Sequence, residues 1–207
     1  MKKFLMLSMT AMFAFSSMAF AAEKRGFIEK ANNKVEIKND KKWKTAKSGE
    51  KVFLGDSIRT GLKSTVEIKY DDETRTRVGS RSHIVITDRK IDIKKGYIWG
   101  KVDKRKTKGL KIVTSNAVAS IVGTEFFVEV GDKESSTITV LEGEISVTPN
   151  KKDATKKIAV KAGDFATFDK DGNVTASGPL EKDKVLAKFD EVVNFDAKDA
   201  IKEEEKK

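Results

Sequence analysis

Short runs of alternating apolar and polar residues follow one another from Gly26 to Val174, and turn residues separate them. In the segment VEIKY, residues 66–70, the apolar side chains share one side of an extended chain and the two charged side chains share the other. Such runs are typical of half-buried strands, and helical periodicity is almost absent from this region. The pattern predicts an all-β fold in which many short strands form a sandwich or a β-solenoid-like stack.

The longest apolar run after the N-terminus is VASIVGTEFFVEV, residues 118–130. These thirteen residues are too few to span a bilayer as a helix, and polar residues and a glycine interrupt them. Gly123 and Thr124 divide the run into two strands, with a bend or a bulge expected at the glycine. In the second strand Phe126 and Phe127 are neighbours, so we expect their rings on opposite faces of a sheet. The run is expected to belong to the core.

The periodicity changes near the C-terminus. A break is expected at residues 177–179, which read Ser-Gly-Pro. One α-helix is predicted within residues 180–195, because Leu186, Phe189 and Val193 fall on one helical face. The charged sequence that follows has little to bury, and it predicts a disordered tail.

The N-terminal residues have the features of a secretory signal peptide. Two lysines precede an apolar run, and two alanines near its end have the spacing of a cleavage site. We expect cleavage after Ala21; a retained membrane anchor is the alternative, but the run is short for a membrane span and charged residues follow it. The expected organisation is a signal peptide over residues 1–21, an all-β domain over residues 22–175, and a helix with a charged tail over residues 176–207. It predicts a periplasmic or secreted bacterial protein.

Composition narrows the classes of protein further. The chain of 207 residues has no cysteine, which excludes disulfides, a lipidated cysteine and thiolate metal sites. Its formal net charge of +10 falls to +8 when Lys2 and Lys3 leave with the signal peptide. A charge of this size attracts anionic polymers and membranes, and it also keeps a protein soluble. The basic residues are 35 lysines and only seven arginines. Because the forked guanidinium of arginine is the group that suits specific binding of phosphate or carboxylate, the excess of lysine favours solubility as the role of the charge.

Few residues are suited to catalysis. His83 is the single histidine, it opens a predicted strand, and no nucleophile motif accompanies it. The acidic run at residues 71–73 lies where a hairpin tip is predicted. It lacks the alternate spacing and the glycine of a calcium loop, so a solvated turn is favoured over a calcium site. The sequence therefore predicts a protein that is not an enzyme and that has no cofactor and no metal site.

Four of the seven arginines lie within fifteen residues and are the sharpest candidates for ligand recognition. They are Arg75, Arg77, Arg81 and Arg89. Arg75 and Arg77 have the i, i+2 spacing that places both on one face of a strand, where guanidinium groups could hold phosphate or carboxylate. The opposing interpretation is an ordinary solvated sheet surface, since no aromatic residue is interleaved for stacking on bases or sugars. No nucleic-acid partner is expected.

Several ordered motifs lie between residues 26 and 168. They are GFIEKANNKVEIKNDKKWKTAKSGEKVFLGDSIRTG, KKGYIWGKV, KIVTSNAVASIVGTEFFVEV, VLEGEISV and VKAGDFATF. With these motifs the chain resembles the FecR-like periplasmic domain, a family named after the ferric-citrate regulator. One departure is a hairpin tip of sequence Asp72-Glu73-Thr74, where the family usually has Asp-Gly-Ser or Asp-Gly-Thr. The residues that carry the resemblance, called signature residues below, are Trp43, Gly55, Asp56, Thr60, Gly61, Gly96, Trp99, Gly123, Thr124, Gly143 and Gly163.

The resemblance implies an all-β recognition module of the bacterial cell envelope without catalytic residues. In the family's regulators, such a module is coupled through a membrane helix to a cytoplasmic segment that binds a sigma factor. Because the predicted signal peptide runs almost directly into the β domain, we expect neither that helix nor that segment here. The expectation is a free-standing exported module that binds another envelope protein. The alternative partner is an anionic envelope polymer, lipopolysaccharide or peptidoglycan, held by a basic face that includes the four arginines.

Overall fold

The computed structural model describes residues 23–39, 42–105, 109–131, 133–150 and 157–195. These residues form seventeen strands and two short helices, which confirms the all-β prediction. The strands are β1 (Lys24–Asn32), β2 (Val35–Asn39), β3 (Lys42–Thr45), β4 (Lys51–Phe53), β5 (Ser57–Thr60), β6 (Thr65–Tyr70), β7 (Arg75–Val78), β8 (His83–Thr87), β9 (Lys90–Lys101), β10 (Leu110–Val113), β11 (Ala117–Ile121), β12 (Glu125–Val130), β13 (Ser136–Glu142), β14 (Glu144–Pro149), β15 (Ile158–Lys161), β16 (Asp164–Phe168) and β17 (Val174–Pro179). The helices are α1 (Lys182–Lys188) and α2 (Asp190–Val193).

The strands form two sheets. Strand β9 takes part in both, so the two sheets belong to one continuous hydrogen-bonded system. Sheet I has the order β4-β1-β6-β7-β9-β12-β13-β16-β17. Sheet II has the order β3-β2-β5-β8-β9-β10-β11-β14-β15. All pairings are antiparallel except that of β9 with β10. From β10 onward successive hairpins alternate between the sheets, which is the stacked arrangement that the sequence predicts.

A bend in β9 lets one strand serve both sheets. Residues 90–95 pair in sheet II, and residues 96–101 pair in sheet I. Gly96 stands at the crossing with a φ of +83°, a left-handed conformation that only glycine adopts at little cost. An added Cβ atom would also lie 2.6 Å from the Cα atom of Ser82. The signature residue Gly96 therefore sets the geometry that joins the two sheets.

The core lies between the two sheets, where their inward-facing apolar side chains meet. Val66 and Ile68 of β6 point inward and are fully buried, as the alternation in VEIKY predicts. A continuous cluster of thirty buried residues, from Ile28 to Phe168, fills this space. Burying one such large side chain contributes about 1.5–3 kcal/mol relative to leaving it in water. The fold is thus held chiefly by the packing of the two sheets.

The apolar run at residues 118–130 belongs to this core, as predicted. Gly123 and Thr124 separate β11 from β12. Phe126 packs between the sheets and Phe127 packs on the outer face of sheet I, so the two rings lie on opposite faces. Gly123 has a φ of +67°, and an added Cβ atom would lie 2.7 Å from Cβ of Lys104. The expected bend at the glycine is present.

The C-terminal region is helical, but it forms two short helices where the sequence predicts one. Phe189 interrupts them with a φ of −104° and a ψ of 22°, and its ring turns toward sheet I. The buried side chains are Phe189, Val192 and Phe195, whereas Leu186 and Val193 are half-buried, so the predicted helical face is only partly right. Neither of the described helices has the length or the apolar character needed to cross a membrane.

Residues 177–179, expected to form a break, belong to strand β17 instead. Backbone pairing with β16 holds the Ser-Gly-Pro sequence in an extended form, so local turn preference yields to the sheet. The boundary expected between residues 175 and 176 therefore falls inside a strand. The predicted signal peptide, residues 1–21, and the predicted charged tail after residue 195 lie outside the described residues.

Candidate recognition surfaces

Arg75 and Arg77 lie together on the outer face of sheet I, as their spacing predicts. Both face Glu67 of β6, which is only 3% exposed. Arg77 donates to the Glu67 carboxylate through Nε, and Nη1 of Arg75 lies 3.5 Å from the same carboxylate. A buried carboxylate requires such partners, since an unpaired buried charge costs several kcal/mol. The two arginines thus compensate the charge of a buried acid of their own sheet.

Arg77 also joins sheet I to the C-terminal helices. Its Nη1 group donates to the carbonyl oxygens of Val192 and Val193 at 3.0 and 3.3 Å, at the end of α2. The guanidinium lies over the rings of Trp99 and Phe195, at 4.8 and 5.0 Å from their centroids. The side chain is only 11% exposed. Arg77 is therefore occupied inside the molecule rather than presented to an external anion.

Arg81 and Arg89 lie away from this pair. Arg81 precedes β8 and Arg89 follows it, so the two stand at opposite ends of a strand of five residues. Both occupy turn positions, with φ angles of +51° and +49°. The four arginines do not form one face, because a strand separates two of them and the helices cover a third. The alternative of an anionic polymer held by this set has no support among the described residues.

The C-terminal helices cover an aromatic surface on sheet I. Phe189 stacks on Phe127 of β12 and contacts Tyr97 of β9, with ring centroids 4.5 and 5.0 Å apart. The Glu191 carboxylate accepts hydrogen bonds from the Tyr97 hydroxyl and from the backbone N–H and hydroxyl of Ser80, the last two at 2.7 Å. Burial and the hydrogen bond to Glu191 raise the pKa of Tyr97. Intramolecular contacts thus occupy the centre of this face.

The outer face of sheet II carries neither of the described helices. Near its β3 edge the Arg59 guanidinium lies 4.2 Å from the ring centroid of Trp43, and His83 meets the same ring edge-on at 5.8 Å. Arg59 also donates to the Glu36 carboxylate at 2.8 and 3.1 Å, and this hydrogen bonding lowers the pKa of Glu36. Burial lowers the pKa of the half-buried His83. The signature residue Trp43 thus lies at the centre of a small surface cluster with Arg59 and His83. His83 is the first residue of β8, the strand-end position that the sequence predicts.

The signature residues Gly55 and Asp56 form the turn before β5. The N–H of Gly55 donates to the Ile86 carbonyl at 2.8 Å. The Asp56 carboxylate accepts from the backbone N–H of Phe53 at 2.8 Å and from the Asn39 side-chain amide at 2.9 Å. Burial raises the pKa of Asp56, and these hydrogen bonds oppose that effect. Asp56 therefore stabilises a turn and points to no reaction.

Thr60 and Gly61 tie the opposite end of β5 to the turn before β8. The Thr60 hydroxyl donates to the Gly79 carbonyl and accepts from the backbone N–H of Ser82 at 3.0 Å. The N–H of Gly61 donates to the Lys34 carbonyl at 2.9 Å. Like Gly55 and Asp56, these signature residues carry the fold rather than a site.

The remaining signature residues lie in the second half of the fold. Thr124 is buried before β12, and Gly143 and Gly163 occupy the turns that follow β13 and β15. Trp99 of β9 is 9% exposed and lies under the C-terminal helices. Each of these positions has a structural role, and the structure gathers none of them into a common cavity.

The acidic run at residues 71–73 forms the tight turn between β6 and β7. Asp72 accepts a hydrogen bond from the N–H of Thr74 at 3.0 Å, and Asp71 pairs with Lys24 at 2.8 Å. Glu73 has a φ of +63°, at the tip where the resembled family has glycine. Among the described residues, no three acidic, histidine or cysteine side chains are grouped as metal ligands. The run is the turn that the sequence predicts.

The edge strands of the two sheets differ in charge. Sheet I ends in β4 and β17, and sheet II ends in β3 and β15. Lysine within an edge strand discourages pairing with another chain, and three of these edges contain it: Lys42 and Lys44 in β3, Lys51 in β4 and Lys161 in β15. Strand β17, with the sequence VTASGP, has no charged residue, and five of its six residues are exposed.

The open part of β17 is short and well defined. Its pairing with β16 is irregular at Thr175, and Pro179 ends it, so residues 176–178 form the regular part of the edge. The sequence does not predict this strand, because Ser-Gly-Pro is a turn signal. Only Val174 and Thr175, the two β-branched residues that begin the strand, could have indicated it.

Comparison with known proteins identifies part of this sequence. The family described as FecR protein matches residues 56–146, which extend from the turn before β5 into β14. No curated protein shows a significant match to the chain.

Two crystal structures, at 1.65 and 2.50 Å resolution, share the fold, and both are of a proposed anti-sigma factor from Parabacteroides distasonis. Their TM-scores are 0.53 and 0.54, with 14% sequence identity and coverage of 63% of this chain in each case. The chain spans 63% and 62% of the length of those proteins. At this identity the likeness concerns the fold alone. The family match confirms the resemblance drawn from the signature residues: residues 56–146 of this chain match the FecR family.

Proposed function

We propose that this chain is an exported, non-enzymatic recognition module of the bacterial cell envelope that binds another envelope protein. The observation that carries the proposal is the exposed and uncharged edge of β17. The FecR-family match supports a regulatory or sensing module. The fold shared with a proposed anti-sigma factor fits a protein that acts by binding proteins.

An open strand edge can bind a partner by adding a strand to the sheet. An extended segment of the partner would pair its backbone with residues 176–178, and each hydrogen bond formed would contribute about 0.5–1.5 kcal/mol net. Ala176, Ser177 and Gly178 have small side chains, so they leave room for another backbone to approach. The lysines of the other three edges oppose the same approach.

Several side chains of the types that enzymes use in catalysis are engaged in structural contacts, which supports binding rather than turnover. His83 packs against Trp43, and the Asp56 carboxylate accepts the N–H of Phe53. Glu67 is buried against Arg77. The proposal of export rests on the N-terminal sequence, and fractionation of cells into cytoplasm, periplasm and medium tests it.

The contact surface is tested by affinity capture from an envelope extract of the cell that makes the protein. The bait is the mature protein, compared with two lysine variants. Ala176→Lys places a charge on the open edge of β17, and Ala159→Lys places the same charge at an exposed position of the edge strand β15. We expect the wild type and Ala159→Lys to capture the same protein. We expect Ala176→Lys to lose at least about tenfold in affinity, or about 1.4 kcal/mol.

Three results would contradict the proposal. The absence of any reproducibly captured protein would argue against protein recognition. Equal capture by both lysine variants, with unchanged circular dichroism, would move the contact away from β17. Analytical ultracentrifugation tests a third outcome. If the wild type is a dimer, Ala176→Lys dissociates it, and capture is unaffected, then the edge of β17 serves self-association.

A further inference from the structure

A cleft opens between the two sheets at the end of the sandwich that carries the turn after β6. Its volume is about 390 Å³, within the range of roughly 300–1,000 Å³ that small-molecule sites occupy. Ile86, Ile91 and Leu110 of sheet II line one side, and Tyr70 and Thr74 line the side of sheet I. Neither β17 nor the C-terminal helices contribute to it. The cleft is therefore independent of the surface proposed for protein binding.

Buried hydroxyl groups stand in this cleft without hydrogen-bond partners. Oη of Tyr70 and Oγ1 of Thr74 are both buried and neither forms a hydrogen bond with the described residues, and Thr74 is only 3% exposed. Thr76, a buried residue of β7, has a third such hydroxyl. Burial raises the pKa of Tyr70, and the Thr76 hydroxyl lies close enough to that phenol to oppose this larger effect. A buried hydroxyl left unpaired costs about 1–3 kcal/mol, and native proteins leave few of them. Their grouping at a cleft suits the polar group of a bound molecule.

The rim of the cleft carries positive charge that no acid of the described residues neutralises. Arg89 and Lys90, in the turn between β8 and β9, line the cleft, are exposed and form no ion pair with the described residues. Of the three acids that line the opposite rim, two are already paired with cations of β1, and the third, Asp72, accepts a hydrogen bond from the N–H of Thr74. The pairs are Asp71 with Lys24 at 2.8 Å and Glu23 with Arg25 at 3.1 Å. An anionic group entering the cleft would therefore be drawn to Arg89 and Lys90.

We propose that this cleft binds a small amphipathic carboxylate that carries a further oxygen substituent. Its apolar body would pack on Ile86, Ile91 and Leu110, which removes apolar surface from water. Its carboxylate would lie at the rim, where Arg89 offers a forked donor. Its hydroxyl or carbonyl oxygen would satisfy the hydroxyls of Tyr70 and Thr74.

Calorimetric titration of the mature protein tests this with three probes, 3-hydroxyoctanoate, octanoate and octylamine. We expect saturable one-site binding of 3-hydroxyoctanoate, weaker binding of octanoate, and none of octylamine. Arg89→Gln should weaken the binding of 3-hydroxyoctanoate at least about tenfold, the range expected for a lost charged hydrogen bond. Arg81→Gln is the matched control, because Arg81 is also exposed and at positive φ but lies at the other end of β8.

A second variant separates recognition of the oxygen substituent from general folding effects. Thr74→Val removes the hydroxyl at similar volume, so it should reduce the affinity for 3-hydroxyoctanoate and leave that for octanoate nearly unchanged. Equal binding of octylamine and 3-hydroxyoctanoate would overturn the proposal, as would identical effects of the Arg81 and Arg89 variants. The absence of binding by either carboxylate at millimolar concentration would also overturn it. Ala176→Lys should leave all of these affinities unchanged, which distinguishes this site from the protein-binding edge.

Discussion

The ring of Phe189 stacks on the ring of Phe127, with their centroids 4.5 Å apart and 15° between their planes. Phe127 lies on the outer face of sheet I, so this contact buries an aromatic ring that the core does not reach. Helices α1 and α2 have seven and four residues, which is too short for stability in isolation. Their helical structure therefore depends on packing against sheet I.

Phe189→Ala should release the C-terminal helices from sheet I. Truncating a buried phenylalanine costs about 3–5 kcal/mol. The remaining contacts of two such short helices with sheet I do not compensate a loss of that size. We expect faster proteolysis after residue 180 and a red shift of tryptophan fluorescence as Trp99 becomes exposed, with the β-sheet circular dichroism retained. Leu186→Ala, at a half-buried position, should show neither change. Cooperative loss of the whole β domain in the Phe189 variant would show instead that the helices are part of the main folding unit.

Arg77→Leu should destabilise the protein much more than Arg75→Leu. Without Arg77 the Glu67 carboxylate stays buried without its closest partner, and breaking a buried ion pair in this way costs about 3–5 kcal/mol. The side chain of Arg75 is 44% exposed, so its loss should cost about 1 kcal/mol or less. Urea unfolding of both variants measures the difference. Equal effects would mean that Arg77 is not the residue that compensates the buried acid.

Gly123→Val should prevent folding of the domain without removing any chemistry. Valine would have to adopt the left-handed conformation of Gly123 and place its Cβ atom 2.7 Å from Cβ of Lys104. Gly163→Val is the matched control, because Gly163 has a φ of +86° but nothing lies within 4 Å of an added Cβ atom. The control should fold with a loss of about 1–2 kcal/mol from backbone strain alone. A Gly123 variant that melts like the control would refute the role assigned to this glycine.

His83 should titrate below the usual histidine pKa of about 6.5. Burial disfavours its charged form, and Lys94 and Arg59 add to the effect. As the pH falls, His83 of the unfolded chain binds a proton before His83 of the folded protein does. The stability that His83 contributes is therefore complete above the pKa of His83 in the unfolded chain, and it is lost as the pH falls through the pKa of His83 in the folded protein. Proton NMR of the single imidazole gives the folded value directly, and a result at or above 6.5 would contradict the burial argument. His83→Gln should remove this part of the acid sensitivity.

The strands could be predicted from the sequence wherever a period of two residues was sufficient. VEIKY and EFFVEV show this, because the alternation alone places Val66, Ile68 and Phe126 inside without knowledge of the neighbouring strands. The roles of the arginines could not be predicted in the same way. Arg77 meets Val192 across 115 positions of sequence, and only the folded chain brings them together.

The candidate surfaces depend still more on tertiary structure. Strand β17 was hidden because Ser-Gly-Pro favours a turn locally, while pairing with β16 decides its conformation. The cleft lies where two sheets end, and its lining comes from strands that are distant in sequence. The Asp-Glu-Thr tip at residues 72–74 was recognisable as a turn because its signal is local.

Strand addition at β17 has a direct signature in amide hydrogen exchange. In the free protein, amides on the open side of residues 176–178 should exchange rapidly. With the captured partner bound at saturation, we predict slowed exchange in β17 and unchanged exchange in the other edge strands, β3, β4 and β15. Unchanged exchange at residues 174–179 in a complex that has demonstrably formed would contradict the proposed mode of binding.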